Sequence, residues 1–168
     1  LGQPSARQFT DAASMQGDLR QATASARRQV YDQAFAQAID YTSDAGRQLE
    51  SLQGRIPARA ISEANELMRV RGEQSRQILA QLDDAGNVIG FERLPDVRQW
   101  DYIKQGLRQM AKSGDGQGAL GGQTPKGSSY EALSNDIRRA LGEAVPEYDD
   151  ATRIAGDVIS EIDAIKTG

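Results

Sequence analysis

Two pairs of adjacent carboxylates, Asp83-Asp84 and Asp149-Asp150, come closest in this chain to residue types and spacing that could do chemistry. Paired carboxylates can act as acid and base, or hold a calcium ion, when burial or a nearby cation tunes them. Asp83-Asp-Ala-Gly-Asn87 lacks the alternating acids and terminal Glu of a calcium loop. The pattern also puts each pair in a turn or in the first turn of a helix, where capping and the helix dipole favour acids. Both pairs are therefore expected to be structural. Gly116-Gln-Gly118 and Thr124-Pro-Lys-Gly127 echo fragments of phosphate-binding loops, but no strand precedes them and no Gly-Lys-Ser/Thr order occurs, so a linker is expected. The serines lack a histidine or a Ser-x-x-Lys pattern to activate them as nucleophiles. Arg27-Arg28 and Arg138-Arg139 read as solvated helix faces.

Composition narrows the classes further. The chain has no Cys and no His, which removes disulfides, thiolate nucleophiles, the common zinc sets and His-based triads together. No catalytic residue, cofactor or metal is expected, and the chain reads as non-enzymatic. Residues 1–72 carry nine Arg against eight acids, and residues 73–168 carry eleven Lys and Arg against sixteen acids, so neither half is a basic patch. Acids interleave with the arginines throughout, and specific nucleic-acid binding is not expected. The apolar stretches fall far short of the roughly 18 residues that a membrane span needs. Leu1 stands where an initiator Met would, which reads as the start of an excerpt from a longer polypeptide.

The elements follow from periodicity. A hydrophobic content of 38% with 5% aromatics predicts a thin core, and the abundance of Gln, Ala and Arg suits long helices. The expected fold class is mainly α, an extended set of helical hairpins or a bundle with one small β-hairpin. Residues 1–40 read as a long N-terminal helix running to about Ala38 and in need of a partner. Val30, Ala34 and Ala38 beside Tyr31, Phe35 and Ile39 make its second half apolar on one side. Residues 41–168 form the helical domain. Ser43 caps a short helix over 44–53, ended by Gly54. Pro57 opens the next, which runs to Val70 and stops at Gly72, and the two are expected to pair as an αα-hairpin. The runs around Asp83–Asn87 predict a β-hairpin over 77–94 with Gly86 in its turn.

Asp96 caps the clearest helix, 96–112, in which Val97, Trp100, Ile103, Leu107 and Met110 recur at three- and four-residue spacing and Trp100 anchors the packing. Arg98, Asp101, Lys104, Gln105 and Arg108 form its polar face, with Asp101 at supporting distance from Lys104 or Gln105. The Gly-rich run 113–129 reads as a flexible loop. Ser128 to Glu131 reads as a capping box starting a helix over 129–144, in which Leu133, Ile137, Leu141 and Val145 form a row. After Pro146 a final helix over 147–166 carries Tyr148, Ala151, Ile154, Val158 and Ile162 on one face. These three helices are the expected core, and their apolar residues are the expected packing and interaction positions.

Ile61-Ser-Glu-Ala-Asn-Glu-Leu67, the hairpin, Leu94-Pro-Asp-Val-Arg-Gln-Trp100-Asp-Tyr-Ile-Lys104-Gln-Gly-Leu107, Tyr130-Glu-Ala-Leu-Ser-Asn-Asp-Ile-Arg-Arg-Ala-Leu141 and Val145-Pro-Glu-Tyr148-Asp-Asp-Ala151 occur in that order. Through them residues 36–168 resemble a helical segment of large phage virion-associated proteins: internal virion or DNA-transfer proteins, some fused to peptidoglycan-cleaving domains such as lytic transglycosylases. Similar segments often carry Leu-Asp where this chain has Leu107-Arg108, and residues 1–35 lie outside the likeness. The resemblance implies a structural or delivery role in the particle, with other virion proteins or copies of the chain as partners. It implies location in the virion, or otherwise in the cytoplasm of the infected host. A substrate-positioning or linker domain of a phage cell-wall hydrolase and a helical adaptor are the alternatives.

Overall fold

The computed structural model describes residues 23–154, a mainly α fold with one two-stranded antiparallel sheet. Helix α4 (Val97–Ala111) is the hub, with two other helices and a 3-10 turn packed directly on it. Asp96 starts α4 as expected. Its carboxylate accepts from the Gln99 amide at 2.8 Å while the Gln99 side chain accepts from the Asp96 amide at 2.9 Å, so two otherwise orphaned donors are satisfied reciprocally. Val97, Trp100, Ile103, Leu107, Met110 and Ala111 are buried along one side of α4, and Tyr102 and Gly106 are buried on another. A helix apolar over so much of its circumference must be surrounded.

Helix α3 (Ala58–Val70) covers one side of α4 with Ala60, Ile61, Ala64 and Met68. Gly106 permits the approach, since a Cβ there would lie 3.0 Å from the Ala60 carbonyl oxygen and 3.3 Å from the Ala64 amide nitrogen. Helix α5 (Pro125–Ala144) covers another side with Leu133, Ile137, Ala140 and Leu141. The two run antiparallel: the start of α5 lies by the end of α4, and Ser134 reaches back to the Lys104 carbonyl. Ser43 caps the short helix α2 (Asp44–Ser51), accepting from the Gly46 amide at 3.0 Å. α2 packs on α5 and α3 on α4, so the expected αα-hairpin between them does not form. Each helix has one narrow apolar stripe, and the larger apolar surfaces of α4 and α5 bury it better. The expected 44–53 helix also tightens after Ser51 into a 3-10 turn at Leu52–Arg55.

Strands β1 (Ala80–Leu82) and β2 (Val88–Phe91) form the hairpin, with Gly86 in the left-handed region at φ 83°. Asp83 closes the turn by accepting from the Ala85 and Asn87 amides at 3.0 and 2.8 Å. These bonds, the one from Asn87 foremost, hold its carboxyl below the ordinary range. A two-stranded ribbon needs support in water. Val88 and Phe91 supply it by burial in the core, Phe91 meeting Trp100 edge-on at a centroid distance of 6.2 Å. Asn65 pins the approach, its side chain both donating to and accepting from the Ile78 backbone.

The Gly-rich segment is where expectation and structure part. It contains a 3-10 turn at Gly114–Gly116 and a bridge from Gln117 to Gln123, and α5 begins at Pro125, four residues earlier than expected. Thr124 is the cap, accepting from the Gly127 amide at 3.1 Å, and Pro125 takes the first helical position. Ser128 therefore sits inside the helix, and its expected partner Glu131 accepts instead from Gln123. Gly116 and Gly127 serve close packing: a Cβ at either would fall 2.2–2.3 Å from a carbonyl oxygen. The run is a compact turn, folded by backbone contact that only glycine allows.

Residues 23–35 form α1 and residues 146–154 form α6. α1 buries Ala34 and lays Val30, Tyr31 and Phe35 against the common core. α6 buries Tyr148 and Ala151. The expected remainder of the first helix, residues 5–22, and of the last, from 155 onward, lies outside the described residues.

Candidate functional site

The polar side of α4 holds the least ordinary group of side chains. Asp101 and Lys104 are 7% and 4% exposed, so both charged residues, one turn apart, are inside the protein. Such groups are almost never fully buried unless paired. The Lys104 ammonium donates to the Tyr148 hydroxyl at 2.6 Å and lies 3.2 Å from Asp101 Oδ1. The Tyr148 hydroxyl donates to the same Oδ1 at 2.6 Å. Gln105 donates to Asp101 Oδ2 at 2.6 Å, and Ser134 reaches from α5 to the Lys104 carbonyl at 3.2 Å. Three helices thus meet at one closed polar knot.

Burial sets the protonation of its members. Desolvation pushes the Lys104 ammonium pKa down, opposed by the Asp101 charge and hydrogen bond. Desolvation, reinforced by Asp101, pushes the Tyr148 hydroxyl far up. The knot is a carboxylate bonded to a neutral phenol and an ammonium. Tyr148 is held protonated, which suits a donor and disqualifies it as a base.

Around the knot lies a concavity of about 620 Å³ between α1 and α4, lined by Arg27, Arg28, Arg71, Arg98, Lys104 and Arg108, with Asp32 and Asp101 as its acids. Six cations against two acids contrast with a chain whose net charge is −4. Arg98 is committed to Glu73 at 2.5 Å and stacks on Phe35 and Tyr102 at 4.8 and 5.7 Å from the ring centroids. Arg71 stacks on the same Tyr102 at 5.4 Å. Burial works against a charged Glu73, but hydrogen bonds from Arg98 and Tyr102 outweigh it and hold its pKa below the usual value. Among the described residues, Arg27, Arg28, Arg71 and Arg108 make no ion pair. Tyr31 borders the same space, edge-on to Tyr148 at 6.3 Å. Desolvation and then Asp101 raise its pKa, while Arg27 and Arg108 act in the opposite direction.

Of the residues expected to carry packing, Val97, Trp100, Ile103, Leu107, Leu133, Ile137, Leu141 and Tyr148 are buried together in one cluster. The Trp100 indole donates to the Tyr41 hydroxyl at 2.7 Å, which in turn donates to the Pro95 carbonyl. Burial, partly offset by the Trp100 bond, pushes the Tyr41 pKa up to about 12. Ile154 is not in the cluster and is 37% exposed. Tyr148, Ala151 and Ile154 step by three residues, short of a full turn, so the row drifts off the buried face. Val158 and Ile162 lie outside the described residues.

The sequence reading missed the burial of Asp101 and Lys104, which it assigned to a polar face. Their signal was their position, since at about 100° per residue both fall within roughly 40° of Val97 around the helix, at the margin of the apolar row. Arg27 and Arg28 are exposed as expected, yet Arg27 turns toward the concavity with α4. Among the described residues no three His, Cys, Asp or Glu side chains gather to hold a metal, and no helix is long and apolar enough to cross a membrane. Comparison with known protein families, curated proteins and solved structures found no match to this chain.

Proposed function

We propose that the chain is a non-enzymatic structural module of a larger phage virion-associated protein, packing in the particle or passing from it into the host envelope. The observation that carries this reading is the use made of the residues that resemble such segments. Leu94–Leu107, Tyr130–Leu141 and Val145–Ala151 supply the hub helix, its main cover and the third member of the core. Trp100 and Tyr148, the most distinctive of them, are fully buried and bonded inside the chain. The polar groups best placed for chemistry, Asp101, Lys104 and Tyr148, are bonded to one another, the economy of a network that specifies packing. Leu79, Leu82 and Ile89 stand exposed on the hairpin and offer contact for a neighbouring virion protein or a second copy. Mass spectrometry of purified particles tests the reading. Peptides of the parent protein are expected at stoichiometric levels, and their absence would overturn it.

A further inference from the structure

We infer that the concavity between α1 and α4 is a binding site for a compact, multiply charged anion of the phosphate class. Its lining draws on three elements of the chain: Arg27 and Arg28 from α1, Arg71 from the end of α3, and Arg98, Lys104 and Arg108 from α4. Guanidinium groups present forked N–H donors that match phosphate oxygens two at a time, and are the preferred partners of that geometry. Arg71 and Arg98 are oriented by Tyr102, on which both stack, and Arg98 is fixed further by Glu73. Preorganised cations lose less freedom on binding than free surface chains do.

Tyr31, one helical turn from Arg27 on α1, lines the same concavity and adds a neutral hydroxyl to its wall. The buried Asp101 is neutralised by Lys104, which prevents the carboxylate from repelling an incoming anion. An adjoining hollow shares Arg71, Gln105 and Arg108 and adds Lys112, so positive charge continues along α4 without acids in that second lining. A compact ligand fits better than a duplex. The volume falls within the roughly 300–1,000 Å³ of small-molecule sites, and the rest of an acidic chain would repel an extended polyanion.

Titration calorimetry of the full 168-residue chain with pyrophosphate at low salt reads the site directly. The expected result is one saturable site with submillimolar affinity that weakens as salt rises. The combined substitution Arg27→Gln, Arg71→Gln and Arg108→Gln should lower affinity at least tenfold while leaving the circular dichroism and urea midpoint unchanged. Should that variant unfold, Arg27→Gln and Arg108→Gln made singly are each expected to weaken binding severalfold. Absence of saturable binding, or affinity indifferent to these arginines, overturns the proposal. So does tighter arginine-dependent binding of a short DNA duplex or a Glu-rich peptide, either of which would reassign the surface to a macromolecule. The virion reading is independent of all these outcomes, since it is decided by the content of the particles.

Discussion

Trp100 and Lys104 stand about one turn apart on α4, and the interior receives them in opposite ways. Trp100 has one polar atom, satisfied by Tyr41, and the rest of its surface gains simply by leaving water. Lys104 carries a full charge, and its burial is tolerated only because Tyr148 from α6 and Asp101 from its own helix complete its bonds. The apolar side of the hub accumulates stability contact by contact. The polar side is all or nothing, since any one member left alone costs more than the whole group contributes. The same side also faces the arginine-lined concavity, so what the knot adds is a fixed position for α6 on the hub beside that space.

Substitutions separate the two sides, the largest effects first. Trp100→Ala removes the largest core side chain and is expected to cost about 3–5 kcal/mol, read from the shift in urea midpoint. Asp101→Val leaves the Lys104 ammonium buried with only a phenol, and a loss of about 3 kcal/mol is expected by the same measurement. Gly106→Ala gains helix propensity of roughly 1 kcal/mol but forces a Cβ against the Ala60 and Ala64 backbone. A net loss of about 1 kcal/mol is expected, and a gain would mean that α3 can move away.

Alkaline pH supplies a weaker contrast. Tyr41 and Tyr148 have raised pKa values in the fold, so an unfolded chain sheds their protons first, and the stability they contribute is lost as pH rises above about 10. Lys104, with its pKa lowered, acts in the opposite direction and its effect is complete by about pH 10.5. Chemical denaturation between pH 9 and 12 should therefore show stability falling in the upper part of this range. Tyr41→Phe should flatten the fall, and a profile unchanged by that substitution would contradict the role of its burial.

Much of the fold could be read from the residues because its signals are local. Asp96, Ser43 and Gly86 act within a few residues of themselves, and the spacing of Val97 to Met110 names the hub. The start of α5 was legible too, in Thr124-Pro125, but the surrounding glycines suggested freedom rather than close contact. Which stripe packs on which was not legible. α2 and α3 are neighbours in sequence, and their separation follows from the larger apolar areas of α4 and α5. The knot joins Asp101 and Lys104 to Tyr148, more than forty residues away, and periodicity carries no information about such a partner.

The difference between the two sides of α4 is tested most directly by replacing the knot as a unit. Urea denaturation of the triple variant Asp101→Val, Lys104→Met and Tyr148→Phe, beside Asp101→Val alone, is the measurement. The triple variant is expected within about 1 kcal/mol of the original chain, well above the single substitution, because no buried charge is left without its partner. A triple variant as unstable as the single one, or more so, would show that the knot itself holds the fold together and would contradict the account.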